Sequence, residues 1–103
     1  MSSDLLLFFL AGVFAANGIP HFVKGITGEH HMTPFGKPSG PVVNVLWGSA
    51  NFISAFLLLA FLVRQEVSFT GATICFWAGA VVTALLLAVF WDGDDEARGH
   101  RTR

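Results

Sequence analysis

Charge is the first thing this chain has little of. Only 13% of its 103 residues are Asp, Glu, Lys or Arg, where an ordinary soluble domain has about 25%. The deficit is also placed. Residues 5–23, 38–63 and 67–91 form windows of 19, 26 and 25 residues that contain no formal charge. An apolar, charge-free stretch of about 18 residues or more is a candidate transmembrane helix. That pattern excludes a soluble globule and a disordered chain. A net charge of −1 and a pI near 6.4 supply no basic field to hold nucleic acid, so no nucleic-acid partner is expected. The single cysteine, Cys75, excludes an intrachain disulfide and reads as a small thiol inside an apolar run.

Further absences narrow the mechanism. No Lys or Arg precedes the first apolar run, which begins after Met1-Ser2-Ser3-Asp4. A signal peptide needs a basic leading region, so the run reads as a retained helix despite the loosely cleavage-like Val13-Phe14-Ala15. No ionisable side chain lies inside a span, whereas ion-coupled pumps and proton relays place one there. Small multidrug exporters combine four spans with an embedded carboxylate, and this chain has neither. Gly36-Lys37-Pro38-Ser39 lacks the upstream glycine pattern of a phosphate-binding loop. Asp92, Asp94, Asp95 and Glu96 lack the calcium-loop spacing and read as solvated. There is no internal repeat and no room for a soluble catalytic domain, so enzymatic activity is not expected.

What remains predicts one all-α domain, an integral membrane three-helix transmembrane bundle. Its spans are about 4–24, 41–63 and 69–91, with a loop over 25–40 and a disordered tail over 92–103. Ser2, Ser3 or Asp4 caps the first helix, where an acid suits the helix dipole. Asn17, Gly18, Pro20 and His21 interrupt its end, and Pro20 kinks or stops it. Residues 25–40 contain four glycines and two prolines and show no helical period. Pro41 after Ser39-Gly40 starts the second helix, and Arg64-Gln65-Glu66 stops it. Ser68 caps the third, and Gly93 fits the position just past its end. The connection between helices two and three is short, which predicts a tight antiparallel hairpin. Trp91 suits an aromatic belt, and Trp47 and Trp77 should pack between helices.

Neutral polar side chains are the candidates for function. Asn44, Gly48, Asn51 and Ala55 recur at spacings of four, three and four, one stripe of a helix. Asn17, His21 and Lys24 share a face of the first helix. Asn17, His21, Asn44 and Asn51 therefore define a polar intramembrane face. It serves either as bonds between helices or as a ligand pocket. Gly71, Cys75, Gly79 and Thr83 form a small-residue stripe on the third helix, with Ala72, Ala80, Ala84 and Ala88 widening it. Such faces let backbones approach closely, with a partner in this chain or in another copy. His21, His30 and His31 gather near the loop beside Glu29, but adjacent His30-His31 is not a helical ligand pair, so no metal site is expected. Haem at His21 lacks a second histidine on the other helices, and no cofactor is expected.

The string Phe14-Ala15-Ala16-Asn17-Gly18-Ile19-Pro20-His21-Phe22 resembles the end of the first helix in DoxX-like membrane proteins, where a glycine shortly precedes a His-Phe pair. The stretch from Pro34-Phe35-Gly36 to Val43-Asn44-Val45-Leu46-Trp47-Gly48 is similar in style to small bacterial inner-membrane proteins. DoxX-like proteins have four spans where this chain has three, and the resemblance carries over no functional residue.

These readings lead to a non-enzymatic bacterial inner-membrane protein, an oligomeric or accessory subunit of a membrane complex. Its partners are the lipid bilayer and a second copy or another membrane protein. Two other classes are small-solute transport or ligand binding at the Asn/His face, and a redox accessory subunit. Lys24, Lys37, Arg98, Arg101 and Arg103 fall on one side of the membrane and only Arg64 on the other. The positive-inside rule then places the N-terminus outside and the C-terminus in the cytoplasm. A C-terminal fusion to a reporter active only in the cytoplasm should therefore be active. Activity restricted to a reporter that works outside would reverse the topology.

Overall fold

The computed structural model describes residues 3–64 and 67–94. Helix α1 spans Ser3–Ile26, α2 Pro41–Leu57 and α3 Phe69–Trp91. Two short strands, β1 His31–Thr33 and β2 Gly36–Ser39, lie between α1 and α2. All three helices are long and apolar enough to cross a membrane. The tail from residue 95 on, expected to be disordered, lies outside the described residues. So do Ser2 as a cap and Gln65-Glu66 as a stop.

Local chemistry explains the boundaries. Asp4 in the first turn of α1 and Lys24 in the last complement its dipole. Pro20 lies inside α1 without ending it, and the helix runs on to Ile26. Gly28 stops it, adopting φ +76°. Its N–H donates to the Gly25 carbonyl at 3.0 Å, and Glu29 N–H donates to Lys24 O at 2.8 Å. This pair of bonds is a Schellman motif, which needs a left-handed residue and so favours glycine. Pro41 occupies the first turn of α2 after Gly40. The continuation Leu58–Leu62 widens into a π-helix and then turns extended at Val63. The Ser68 hydroxyl accepts from Gly71 N–H at 2.9 Å, the predicted cap of α3. Gly93 follows the end of α3 with φ +79°.

Packing departs from the expected bundle in one respect. α1 runs along both α2 and α3, whereas α2 and α3 do not pack along each other. The short connection therefore does not make a helical hairpin, because each outer helix finds its close-approach partner on α1. A Cβ on Gly12 would run into the Phe76 carbonyl of α3, and one on Gly79 into the Phe9 carbonyl of α1. On the opposite side, a Cβ on Gly18 would stand 2.9 Å from Gly48 O, and one on Gly48 2.7 Å from Phe22 N. Small residues thus set both helix pairs at backbone contact, the kind of close approach by which helices in a bilayer associate through dispersion. Gly79 of the predicted stripe packs on α1, as does Gly71, whose Cβ would meet Leu5 at 3.4 Å. Cys75 and Thr83 are half-buried.

Two polar ties close the ends of the α1–α2 pair. At the start of α1 the buried Asp4 carboxylate accepts the Arg64 N–H, both oxygens lying at 3.2 Å. The tie at the other end is the polar cluster described below.

Replacing Gly12 by Leu forces α1 and α3 apart and should destabilise the purified protein by on the order of 2 kcal/mol. Val89→Leu, at a position 76% exposed, should leave stability unchanged. Denaturant titration in detergent micelles measures both. Equal stability of Gly12→Leu and the parent would contradict the backbone contact.

Candidate functional site

Residues 25–40 were expected to lack regular structure, and here the structure corrects the sequence. β1 and β2 pair antiparallel, with His31 opposite Ser39 and Thr33 opposite Gly36. The mostly helical chain therefore also carries a two-stranded sheet. His31, Thr33 and Ser39 are buried. The hairpin is closed by a directed chain of hydrogen bonds. Phe35 N–H donates to Thr33 Oγ1 at 3.1 Å, and the Thr33 and Ser39 hydroxyls lie 2.6 Å apart. Ser39 Oγ donates to Gly36 O at 3.1 Å, so the Thr33 hydroxyl is the donor to Ser39.

Asn44 joins this hairpin to the helices. Its side chain is fully buried. Its amide nitrogen faces three carbonyls, those of His31 at 3.0 Å, Ser39 at 3.1 Å and Gly40 at 3.0 Å. Its oxygen faces His21 Nδ1 at 3.0 Å. A carbonyl oxygen only accepts, so His21 Nδ1 carries the hydrogen in this bond. One turn of helix further along, Asn17 Nδ2 donates to Asn51 Oδ1 at 3.0 Å. Asn51 Nδ2 in turn donates to Trp47 O at 2.9 Å. The four polar residues read from the sequence therefore meet as two interhelical pairs, Asn17–Asn51 and His21–Asn44. All four residues of the α2 stripe, Asn44, Gly48, Asn51 and Ala55, are buried. Lys24 turns away to Glu29, at 3.2 Å, on the outside.

His31 enters between α1 and α3. Its ring meets His21 edge-on with centroids 5.1 Å apart, and Trp91 with centroids 4.5 Å apart. His30 beside it is exposed. Among the described residues no group of three or more His, Cys, Asp or Glu is placed to hold a metal ion. Trp47 packs against Phe35 of the hairpin, centroids 5.7 Å apart, and Trp77 is 60% exposed on the outside of α3. The expectation that both pack between helices is thus corrected for Trp77, while Trp47 is half-buried and lines a cavity with residues of α1 and α3. α3 turns its small residues inward at this depth, which points the Trp77 ring outward.

A cavity of about 270 Å³ opens where α2 and α3 diverge over α1. Its lining includes Asn17, His21, Met32, Trp47, Phe90 and Trp91. The Trp91 indole N–H is buried and has no hydrogen-bond partner among the described residues. Lys37 reaches Asp94 at 3.3 Å, so the hairpin and the end of α3 share one end of the molecule.

No family model, curated protein or solved structure matches this chain.

Thr33 and Ser39 belong to the site and were not singled out from sequence, while His31 was weighed there only as a metal ligand and Trp91 only for an aromatic belt. The in-and-out alternation of His31-Met32-Thr33 before Pro34-Phe35-Gly36 is the signal, a very short strand leading into a turn.

Asn44→Leu removes the tie to three carbonyls and His21, and strands those groups without partners. It should cost about 2 kcal/mol or more and raise hydrogen exchange across His31–Ser39. Unchanged exchange there would show that the hairpin holds itself. A double-mutant cycle on Asn17→Ala and Asn51→Ala should give a coupling of roughly 1 kcal/mol.

Proposed function

We propose that this is a non-enzymatic, multi-pass protein of the bacterial inner membrane, acting as an oligomeric or accessory subunit of a membrane complex. The observation that carries the reading is the division of labour among its side chains. The span amides are engaged with one another, Asn17 with Asn51 and Asn44 with His21 and the hairpin. They hold the protomer together. The inward glycines of α3 are likewise occupied by α1. Among the apolar faces left exposed is the outer face of α3, where Ala84 and Ala88 stand one turn apart between Val81, Leu85 and Val89. A small-xxx-small ridge flanked by branched residues is the surface on which membrane helices associate.

The N-terminus lies outside, and the hairpin and C-terminus lie in the cytoplasm. Lys24 and Lys37 cluster at the hairpin end, and Arg64 sits at the opposite end beside Asp4. That distribution supports this orientation by the positive-inside rule.

The lone cysteine makes the test direct. In a Cys75→Ser background, single cysteines at Val81, Ala84, Leu85 and Ala88 should cross-link in native membranes, strongest at the two alanine positions. A protein that is monomeric in mild detergent and yields no cross-linked species at any of these positions would sink the proposal.

A further inference from the structure

The β1–β2 hairpin lies beside the helix ends and not beyond them. We propose that it is a re-entrant segment: it enters the bilayer from the side that carries the C-terminus and sets Phe35 among phospholipid acyl chains. The inference rests on the multi-pass part of the reading above and is independent of assembly.

Depth comes first. The candidate spans of α1 and α2 hold 23 and 22 residues. At 1.5 Å per residue they measure roughly 33–35 Å, against a hydrocarbon core of about 30 Å. Their ends therefore overshoot the core by only a few ångströms. The His31 ring lies against His21, five residues inside the end of α1. The Phe35 ring lies against Trp47, six residues inside the start of α2. Those offsets are about 8 and 9 Å along the helix axes.

Backbone chemistry comes next. Irregular backbone at bilayer depth is tolerated only where protein or a water-filled space answers its polar groups. Here side chains answer them. Thr33 Oγ1 takes the Phe35 N–H, Ser39 Oγ donates to Gly36 O, and Asn44 Nδ2 faces the His31 and Ser39 carbonyls. Pro34 and Pro38 have no N–H to satisfy. Lys37 is the only Asp, Glu, Lys or Arg between residues 31 and 39. Its ammonium reaches Asp94, past the end of α3, at 3.3 Å. A long stem that carries its charge out to the interface is how lysine is accommodated beside hydrocarbon.

The tip supplies the contact surface. Phe35 is 73% exposed, and an aromatic ring gains by leaving water. Beside it a trough of about 520 Å³ runs along α2, lined by Phe35, Val43, Leu46, Trp47 and Ala50. Every lining residue is apolar, and four of the five belong to a candidate span. The occupant that matches this chemistry at this depth is an acyl chain.

The test uses the full chain in phosphatidylcholine nanodiscs, with Trp47, Trp77 and Trp91 replaced by Phe and one new tryptophan added. Phe35→Trp should be quenched by lipid brominated on its acyl chains and shielded from aqueous iodide. His30→Trp, at an exposed position just before the hairpin, should show the reverse. Ile53→Trp, on the exposed face of α2, is the reference for spanning. Its failure to respond to brominated lipid would overturn the multi-pass reading and this proposal with it. A response at Ile53→Trp without one at Phe35→Trp would overturn the re-entrant hairpin alone. Because three tryptophan replacements can loosen the fold, a second measurement keeps all three. In a Cys75→Ser background, Phe35→Cys should react with a sulfonated maleimide about tenfold more slowly than His30→Cys, since the charged reagent is excluded from hydrocarbon. Equal rates would overturn the proposal. Slow labelling at Phe35→Cys without bromolipid quenching at Phe35→Trp would also overturn it, by showing that protein and not lipid covers the trough.

Discussion

A carboxamide inside a hydrocarbon-like interior must have its donors and acceptor engaged, because no water is there to replace a missing partner. Asn44 meets that demand in a way that organises its whole end of the molecule. Its nitrogen reaches the carbonyls of His31, Ser39 and Gly40, and its oxygen takes the hydrogen of His21. One side chain thereby fixes the hairpin, the start of α2 and the end of α1 relative to one another. The hairpin then carries His31 between His21 and Trp91, which extends the same constraint to α3. The orientation of the His21 ring follows from this one amide.

Away from that cluster, the helices are held by close approach. Gly12 and Gly79 bring α1 and α3 to backbone contact, and Gly18 and Gly48 do the same for α1 and α2. In lipid, apolar side chains gain little by leaving one hydrocarbon surface for another, so contact area and dispersion decide which helices pair. α1 carries glycines on two faces and becomes the common partner. The buried Asp4–Arg64 tie at its other end keeps the polar cluster from being the only register mark between α1 and α2.

The helices were legible because their signal is long and physical. Charge-free windows marked the spans, and Pro41, Ser68 and Gly93 marked ends the structure confirms to within a few residues. The α2 stripe was legible because spacing of three and four is enough to place Asn44, Gly48, Asn51 and Ala55 on one face. Other features left no such trace. The hairpin strands are three and four residues long, too short for a period, and tertiary bonds from Asn44 stabilise them. The pairing of α3 with α1 instead of α2 depends on which glycine meets which carbonyl, which a stripe of small residues does not encode. The π-helical end of α2, Leu58–Leu62, looks in sequence like any apolar helix.

The placement of α1 between two helices that ignore each other has an energetic corollary. α2 and α3 do not pack along each other, so lesions at the glycines on their inner faces meet chiefly through α1. Free-energy changes at well-separated sites add. Damage at Gly48 and damage at Gly79 should therefore sum, while changes within α1 register on both sides at once. The protomer behaves as two two-helix modules that share a helix, and the tolerance of its own fold to substitution is distributed accordingly: narrow along α1, and wide on the outer faces of the two flanking helices.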